Sequence, residues 1–269
     1  MIHTSLQHAR HEGRKMLAVL IDPDKTNRNS IDTLAKYAAK GMIDYFFWGG
    51  SLVNELNADY YLSLLKANVE VPVILFPGSM YQLNAKADGI LLLSLLSGRN
   101  PDLLIGQHVL VAGRIKQMGL ATSATGYLLI DGGVPTSVSY MSNTTPIPAD
   151  KPEIAASTAL AGEQLGMQII YLDAGSGARL AVKADTISAV RQEVDLPIIV
   201  GGGLRTPAMA KRALIAGADL IVVGNSLEKS VDWLPHLSQV VRECSGLAEV
   251  SLPPKVTAKA NVRRYSSKG

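Results

Sequence analysis

The chain has 269 residues, 47% hydrophobic and 18% charged, with a formal net charge of +3. This composition suits a globular protein with a large core, and the weak charge, with no dense basic stripe in the body, argues against nucleic-acid binding. A single cysteine, Cys244, excludes an internal disulfide and a cysteine metal cluster, so a reducing cytoplasmic setting is expected.

The opening "MIHTSLQHARHEGRK" is polar and has no apolar signal core. Short apolar runs then recur: 15–23, 43–50, 71–79, 89–97, 125–133, 168–176, 196–203 and 219–225. They are nearly continuous and rich in β-branched residues, as parallel strands covered on both faces must be. The longest, "GILLLSLLSG", falls well short of the roughly 20 residues that a membrane helix needs. Helical spacing fills most of the intervals. "SIDTLAKYAAKG" ends on Gly41, a helix C-terminal signal. "KPEIAASTALAGEQLG" and "LAVKADTISAVRQEV" follow the fifth and sixth runs, and "TPAMAKRALIAGAD" opens with Thr206 as N-cap and Pro207 at the first helical position.

Eight strands with interleaved helices in about 250 residues predict a (β/α)8 barrel, here as one domain over 1–269 with a flexible basic tail from about 254. A doubly wound open sheet is the competing architecture. The barrel is favoured because polar and glycyl residues cluster after strands 1, 2, 3, 6, 7 and 8, and a closed ring makes those ends neighbours. Only "MYQLNAKAD" separates the third and fourth runs, so the helix after strand 3 is short or missing. The basic tail, "KVTAKANVRRYSSKG", reads as solvated, with peripheral contact to anionic lipid as its other reading.

Several strand ends carry chemistry. Strand 1 ends "LIDPDK", placing Asp22 at the rim with Lys25 behind it, and strand 2 ends "GGSLVN", offering the Ser51 hydroxyl. Magnesium takes one or two carboxylates and leaves its other positions to water and phosphate oxygens, so Asp22 and Ser51 are candidate ligands for Mg2+ on a diphosphate. Taken alone, Asp22 reads equally well as an Asx-turn residue. Strand 6 ends "YLDAGSGA", with Tyr171 and Asp173 on one face by the period of two. Leu172, Ala174, Gly175, Ser176 and Gly177 complete a segment whose backbone can fold around a small polar ligand, and Asp173 is placed to accept or orient a hydroxyl proton. Gly202 and Gly203 after strand 7, with Gly224 and Asn225 after strand 8, offer backbone N–H groups to a phosphate ahead of a helix dipole. His3, His8, His11, His108 and His236 all lie away from the strand ends, which disfavours a histidine base, a histidine zinc site and a serine nucleophile.

The ordered set "LIDPDK", "FWGGS", "FPGS", "YLDAGSGA", "VGGGLRTP" and "VVGN" resembles the geranylgeranylglyceryl phosphate synthase family, which includes the PcrB-like synthases. The segment "YMSNTTPIP" followed by "KPEIAA" is similar to that of the family's second subgroup. The resemblance implies a modified TIM barrel that has lost its third helix. It implies prenyl transfer from a polyprenyl diphosphate, geranylgeranyl diphosphate in this subgroup, to the C3 hydroxyl of sn-glycerol 1-phosphate, with magnesium, in a homo-oligomer (dimer or hexamer). By motif, Asp22 and Ser51 correspond to the metal site. Tyr171 to Gly177, Gly202, Gly203, Gly224 and Asn225 correspond to the glycerol phosphate site, with Asp173, Tyr171 and Lys25 as catalytic candidates. Many relatives carry glutamate where this chain has the shorter Asp173. Another phosphate-binding barrel enzyme, similar to thiamine phosphate synthase, and a longer-chain heptaprenyl synthase stay open as alternatives.

Overall fold

The computed structural model describes residues 1–224 and 231–246; Asn225 and the basic tail lie outside the described residues. Eight parallel strands, β1 (Met16–Ile21), β2 (Tyr45–Trp48), β3 (Val73–Leu75), β4 (Gly89–Leu95), β5 (Ala121–Leu129), β6 (Ile169–Asp173), β7 (Ile198–Gly201) and β8 (Leu220–Val223), close into a ring. The ring shuts where Met16 to Val19 pair with Leu220 to Val223. The open-sheet alternative is thereby excluded.

Each predicted apolar run holds a strand, and strand alternation sorts its side chains into two cores. Leu17, Val19 and Ile21 of β1 point outward and pack with the surrounding helices, as do Phe46 and Trp48 of β2. Met16 and Ala18, with Tyr45, Phe47, Ile74, Leu91, Tyr127 and Tyr171, fill the barrel interior. Helices α2 (Arg28–Ala39), α3 (Ala58–Asn68), α4 (Gln107–Met118), α5 (Ser137–Ser142), α6 (Pro152–Gln164), α7 (Ala184–Glu193), α8 (Pro207–Ile215) and α9 (Leu234–Cys244) occupy the connections and the C-terminal side. Between β3 and β4 the described helical structure is a single 3-10 turn, Met80–Gln82.

Three local boundaries differ from the sequence expectation. β5 begins at Ala121 rather than Thr125, because the small and hydroxyl-bearing residues there fit inside the ring: Ser123 and Thr125 are fully buried. α7 begins at Ala184, leaving 180–183 as loop. The polar N-terminus forms α1 (Ile2–His11), whose Ile2, Leu6 and Ala9 join the interior core. α1 lies across the strand beginnings. Tyr45 donates its hydroxyl hydrogen to Ser5 Oγ (2.7 Å), His3 Nδ1 meets Ser123 Oγ at 2.9 Å, and Arg10 reaches the Asp195 carbonyl. The bottom of the barrel is therefore capped, and the strand C-termini form its open mouth.

Candidate functional site

The mouth is assembled from loops that the sequence ties down individually. After β1, Asp22 caps the 3-10 turn Pro23–Lys25, its Oδ1 accepting the Asp24 N–H at 3.1 Å, while Lys25 Nζ sits 2.8 Å from Oδ2. The Asx-turn role is thus real, and the carboxylate still stands at the rim. Asp24 is engaged elsewhere: its carboxylate accepts the N–H groups of Asn54 and Glu55, both at 2.8 Å to Oδ1, and so fixes the loop after β2 against the loop after β1. That loop carries Ser51. A Cβ built on the preceding Gly50 would stand 3.4 Å from Asp22 Oδ1, so the strand 1 and strand 2 ends are in contact. Gln82, from the 3-10 turn, stitches the next pair of ends. Its amide donates to the Gly50 carbonyl (2.8 Å), and its Oε1 accepts from Gly50 N–H (3.3 Å) and Gly78 N–H (3.2 Å). The short β3–β4 connection thus braces the Ser51 loop.

Across the mouth, Asp173 ends β6 and is buried. Its Oδ2 accepts the Tyr127 hydroxyl at 2.6 Å and its Oδ1 accepts the Gly175 N–H at 2.7 Å. Burial raises its pKa above the ordinary 3.8, and the Tyr127 and Gly175 hydrogen bonds oppose that rise. Burial, with the Asp173 charge beside them, pushes the phenols of Tyr127 and Tyr171 well above their ordinary value, so both remain neutral donors. Tyr127 and Tyr171 face each other across the β5–β6 register, with ring centroids 5.4 Å apart. Phe76, from the end of β3, stacks on Tyr171 at 5.1 Å and 13° and leans on Tyr127 at 6.1 Å. The three rings pack as one aromatic cluster beside Asp173, and half-buried Leu20, Leu93, Leu103 and Val138 extend the apolar lining.

Two glycines are required here. A Cβ at Gly201 would meet the Tyr171 hydroxyl at 2.5 Å. One at Gly202, where φ is +74°, would lie 2.4 Å from Asp173 Oδ1. The β7 backbone therefore passes directly beside the carboxylate, in a conformation that side-chain-bearing residues rarely adopt. Gly203 abuts the Leu180 carbonyl of the β6 loop in the same way. Arg205 donates to the Ala178 carbonyl and locks the two loops together. Thr206 then caps α8, accepting the Met209 N–H at 3.3 Å, with Pro207 opening the helix as expected.

The structure thus brings Asp22, Lys25 and the Gly50–Ser51 turn together at one side. It brings Tyr171, Asp173, Ala174, Gly175, Gly202 and Gly203 together at the other. Leu172 points out of the ring into the helix-packed core, so it contributes position rather than side-chain contact. Gly224 ends β8 against Leu20 of β1. The sequence reading missed Tyr127. It stands inside "TGYLLIDGG" as one more apolar residue, and only the pairing of β5 with β6 reveals its hydroxyl on Asp173. Among the described residues, no group of three or more His, Cys, Asp or Glu gathers as a metal cage, and no helix is long and apolar enough to cross a membrane.

A closed parallel barrel with a buried carboxylate, a glycine-walled loop pair and an acid–hydroxyl pair on one rim defines an α/β-barrel protein with its site at the strand C-termini. The chain belongs to the PcrB family, whose model matches residues 9–242. It is 51% identical over 240 residues to the geranylgeranylglyceryl phosphate synthase of Spirosoma linguale, covering 89% of this chain and 96% of the relative. It is 50% identical to that of Chitinophaga pinensis, covering 89% and 95%. Among solved structures, (S)-3-O-geranylgeranylglyceryl phosphate synthase from Thermoplasma acidophilum, in complex with its substrate sn-glycerol-1-phosphate, superposes with a TM-score of 0.84. That match has 32% identity and covers 90% of this chain and 99% of that one.

Proposed function

We propose that this chain is a prenyltransferase that forms the ether between the C3 hydroxyl of sn-glycerol 1-phosphate and C1 of geranylgeranyl diphosphate, releasing diphosphate. The observation that carries the reading is the buried Asp173 walled by the Ala174–Gly177 and Gly201–Gly203 backbones, in a chain so close to synthases of this name. In this reading the N–H groups of the two loops and of the segment after β8 hold the phosphomonoester. Asp173 orients the attacking hydroxyl and takes its proton. Lys25 neutralises charge on the departing diphosphate. Tyr127 and Tyr171 are buried and support the half-buried Phe76, and the apolar lining from Leu93 and Leu103 leads the prenyl tail toward the short β3–β4 connection.

The donor set at Asp22 and Ser51 fits magnesium: one carboxylate and one hydroxyl, hard oxygen donors that leave most positions to water and phosphate oxygens. When bound there, Mg2+ supplies electrostatic stabilisation of the leaving diphosphate. The fold is that of a modified TIM barrel in which the 3-10 turn Met80–Gln82 stands in place of a third helix. The chain acts as one domain, in the cytoplasm, as a homo-oligomer.

Product analysis tests the reading. The purified chain with sn-glycerol 1-phosphate and prenyl diphosphates of graded length yields the C20 ether fastest; a faster C35 reaction selects the heptaprenyl alternative, and no ether at any length removes the synthase reading. Chelation abolishes turnover and added Mg2+ restores it. Asp22→Ala lowers the rate at least 100-fold, and a rate near wild type would end the metal role of Asp22.

A further inference from the structure

The catalytic reading above rests on Asp173, yet this carboxylate does not stand alone. Tyr127 rises from β5, one register step below the rim, and its hydroxyl hydrogen points at Asp173 Oδ2 over 2.6 Å. The ring packs against the stacked Tyr171–Phe76 pair, at 5.4 Å and 6.1 Å, and is buried, so the phenol has little freedom to turn away. Gly175 N–H holds the other oxygen at 2.7 Å. A carboxylate gripped at both oxygens by donors from different strands keeps one orientation and one remaining set of lone pairs toward the mouth.

We propose that Tyr127 is a positioning residue for the reaction: its hydroxyl clamps Asp173 in the ionised, rim-facing orientation that receives the proton of the attacking glycerol hydroxyl. The inference rests on the synthase reading and deepens it. As the new C–O bond forms, the C1–O bond to the diphosphate breaks and its electron pair leaves with the diphosphate. The hydroxyl proton passes to Asp173, and Tyr127 keeps its own proton throughout. The clamp also bears on the shorter acid. An aspartate has one less methylene of reach than glutamate but one less rotatable bond, and a second donor fixes it.

Among the described residues, two titratable groups face Asp173. Tyr127 comes from β5 and Tyr171 from its own strand; β7 presents the backbone of Gly201 to Gly203. Both phenols stay neutral, so removal of one hydroxyl is read cleanly. The Tyr127 hydrogen bond favours the charged carboxylate, so its loss raises the pKa of Asp173 further and moves the acid limb of the rate profile to higher pH.

The test is Tyr127→Phe, which keeps the ring and removes one oxygen. Wild type and variant are compared for turnover with sn-glycerol 1-phosphate and geranylgeranyl diphosphate, and for the Asp173 side-chain 13C titration, which needs no turnover. The expected result is kcat lower by roughly 10- to 100-fold, KM for glycerol phosphate within about threefold, and both the acid limb and the 13C midpoint shifted up by about one pH unit. Tyr127→Phe in an Asp173→Asn background costs nothing further. A variant that loses rate with an unmoved acid limb and midpoint, or that keeps the wild-type rate, overturns the proposal. A wild-type chain that makes no ether while the 13C midpoint still moves overturns the synthase reading and leaves the clamp standing. Should Tyr127→Phe fail to fold, 3-fluorotyrosine at 127, a more acidic phenol of nearly the same shape, tests the clamp with the opposite sign: the acid limb and the 13C midpoint move down, and an unmoved midpoint overturns the proposal.

Discussion

Two buried aspartates mark the two ends of this barrel, and their surroundings are opposite. At the bottom, Asp219 lies between two cations: Lys15 Nζ is 3.4 Å from Oδ1 and Arg191 Nη1 is 3.1 Å from Oδ2. The Ile198 N–H adds a donor at 2.9 Å, and Arg191 continues to the Val194 and Leu196 carbonyls. Burial lowers the pKa of both Lys15 and Arg191, with the charge of Asp219 acting against that in each. At the mouth, the donors to Asp173 among the described residues are neutral, a phenol and an amide. A buried anion paired with cations is charge-compensated and fixed in a clamp. One held by neutral groups keeps its affinity for a proton, because nothing nearby neutralises it. The barrel thus uses one residue type for architecture at one end and for chemistry at the other.

The sharpest way to break this contrast is at the bottom. Asp219→Ala leaves Lys15 and Arg191 buried without their counter-charge and costs about 3 to 5 kcal/mol, measured as a lower urea midpoint. A loss below about 1 kcal/mol would show that water reaches the cluster and that the clamp is not load-sharing. At the mouth, Gly202→Ala places a methyl against Asp173 Oδ1 and forces alanine to φ +74°. It costs about 1 to 3 kcal/mol of stability and lowers turnover along with glycerol phosphate affinity.

The smallest effect on stability is the most instructive. Asp173→Asn removes a charge that folding buries. The folded carboxyl binds a proton more readily than the unfolded one, so wild-type stability falls as pH rises from the ordinary 3.8 through the elevated folded value. The variant loses that pH dependence and is as stable as wild type or slightly more so near neutrality, while turnover falls at least 100-fold with glycerol phosphate affinity within tenfold. A marked loss of stability instead would make Asp173 a second structural anion and erase the contrast.

The barrel was legible because its signal is repetitive. Eight recurring apolar runs, each followed by a turn, leave few closed alternatives, and the thinness of "MYQLNAKAD" pointed to the β3–β4 connection. Rim residues such as Asp22 and Asp173 were legible because a polar residue ending an apolar strand lacks a packing reason. What escaped detection depends on contacts between distant segments. α1 looks like a solvated polar leader until Ile2, Leu6 and Ala9 meet strand beginnings far along the chain. Asp24 carries no role of its own in "LIDPDK", and only the fold shows it gripping the backbone at Asn54 and Glu55. Tyr127 is hidden for the same reason, since a tyrosine in an apolar run is ordinary core until its hydroxyl finds a partner 46 positions away.

The cap formed by α1 has a consequence for traffic. Side chains such as Phe47, Leu91 and Tyr171 fill the interior, and Ile2, Leu6 and Ala9 close its floor, so the barrel is a solid body with one working end. Whatever enters and whatever departs share one doorway, so a long-tailed product lying across that doorway obstructs the next donor until it slides out.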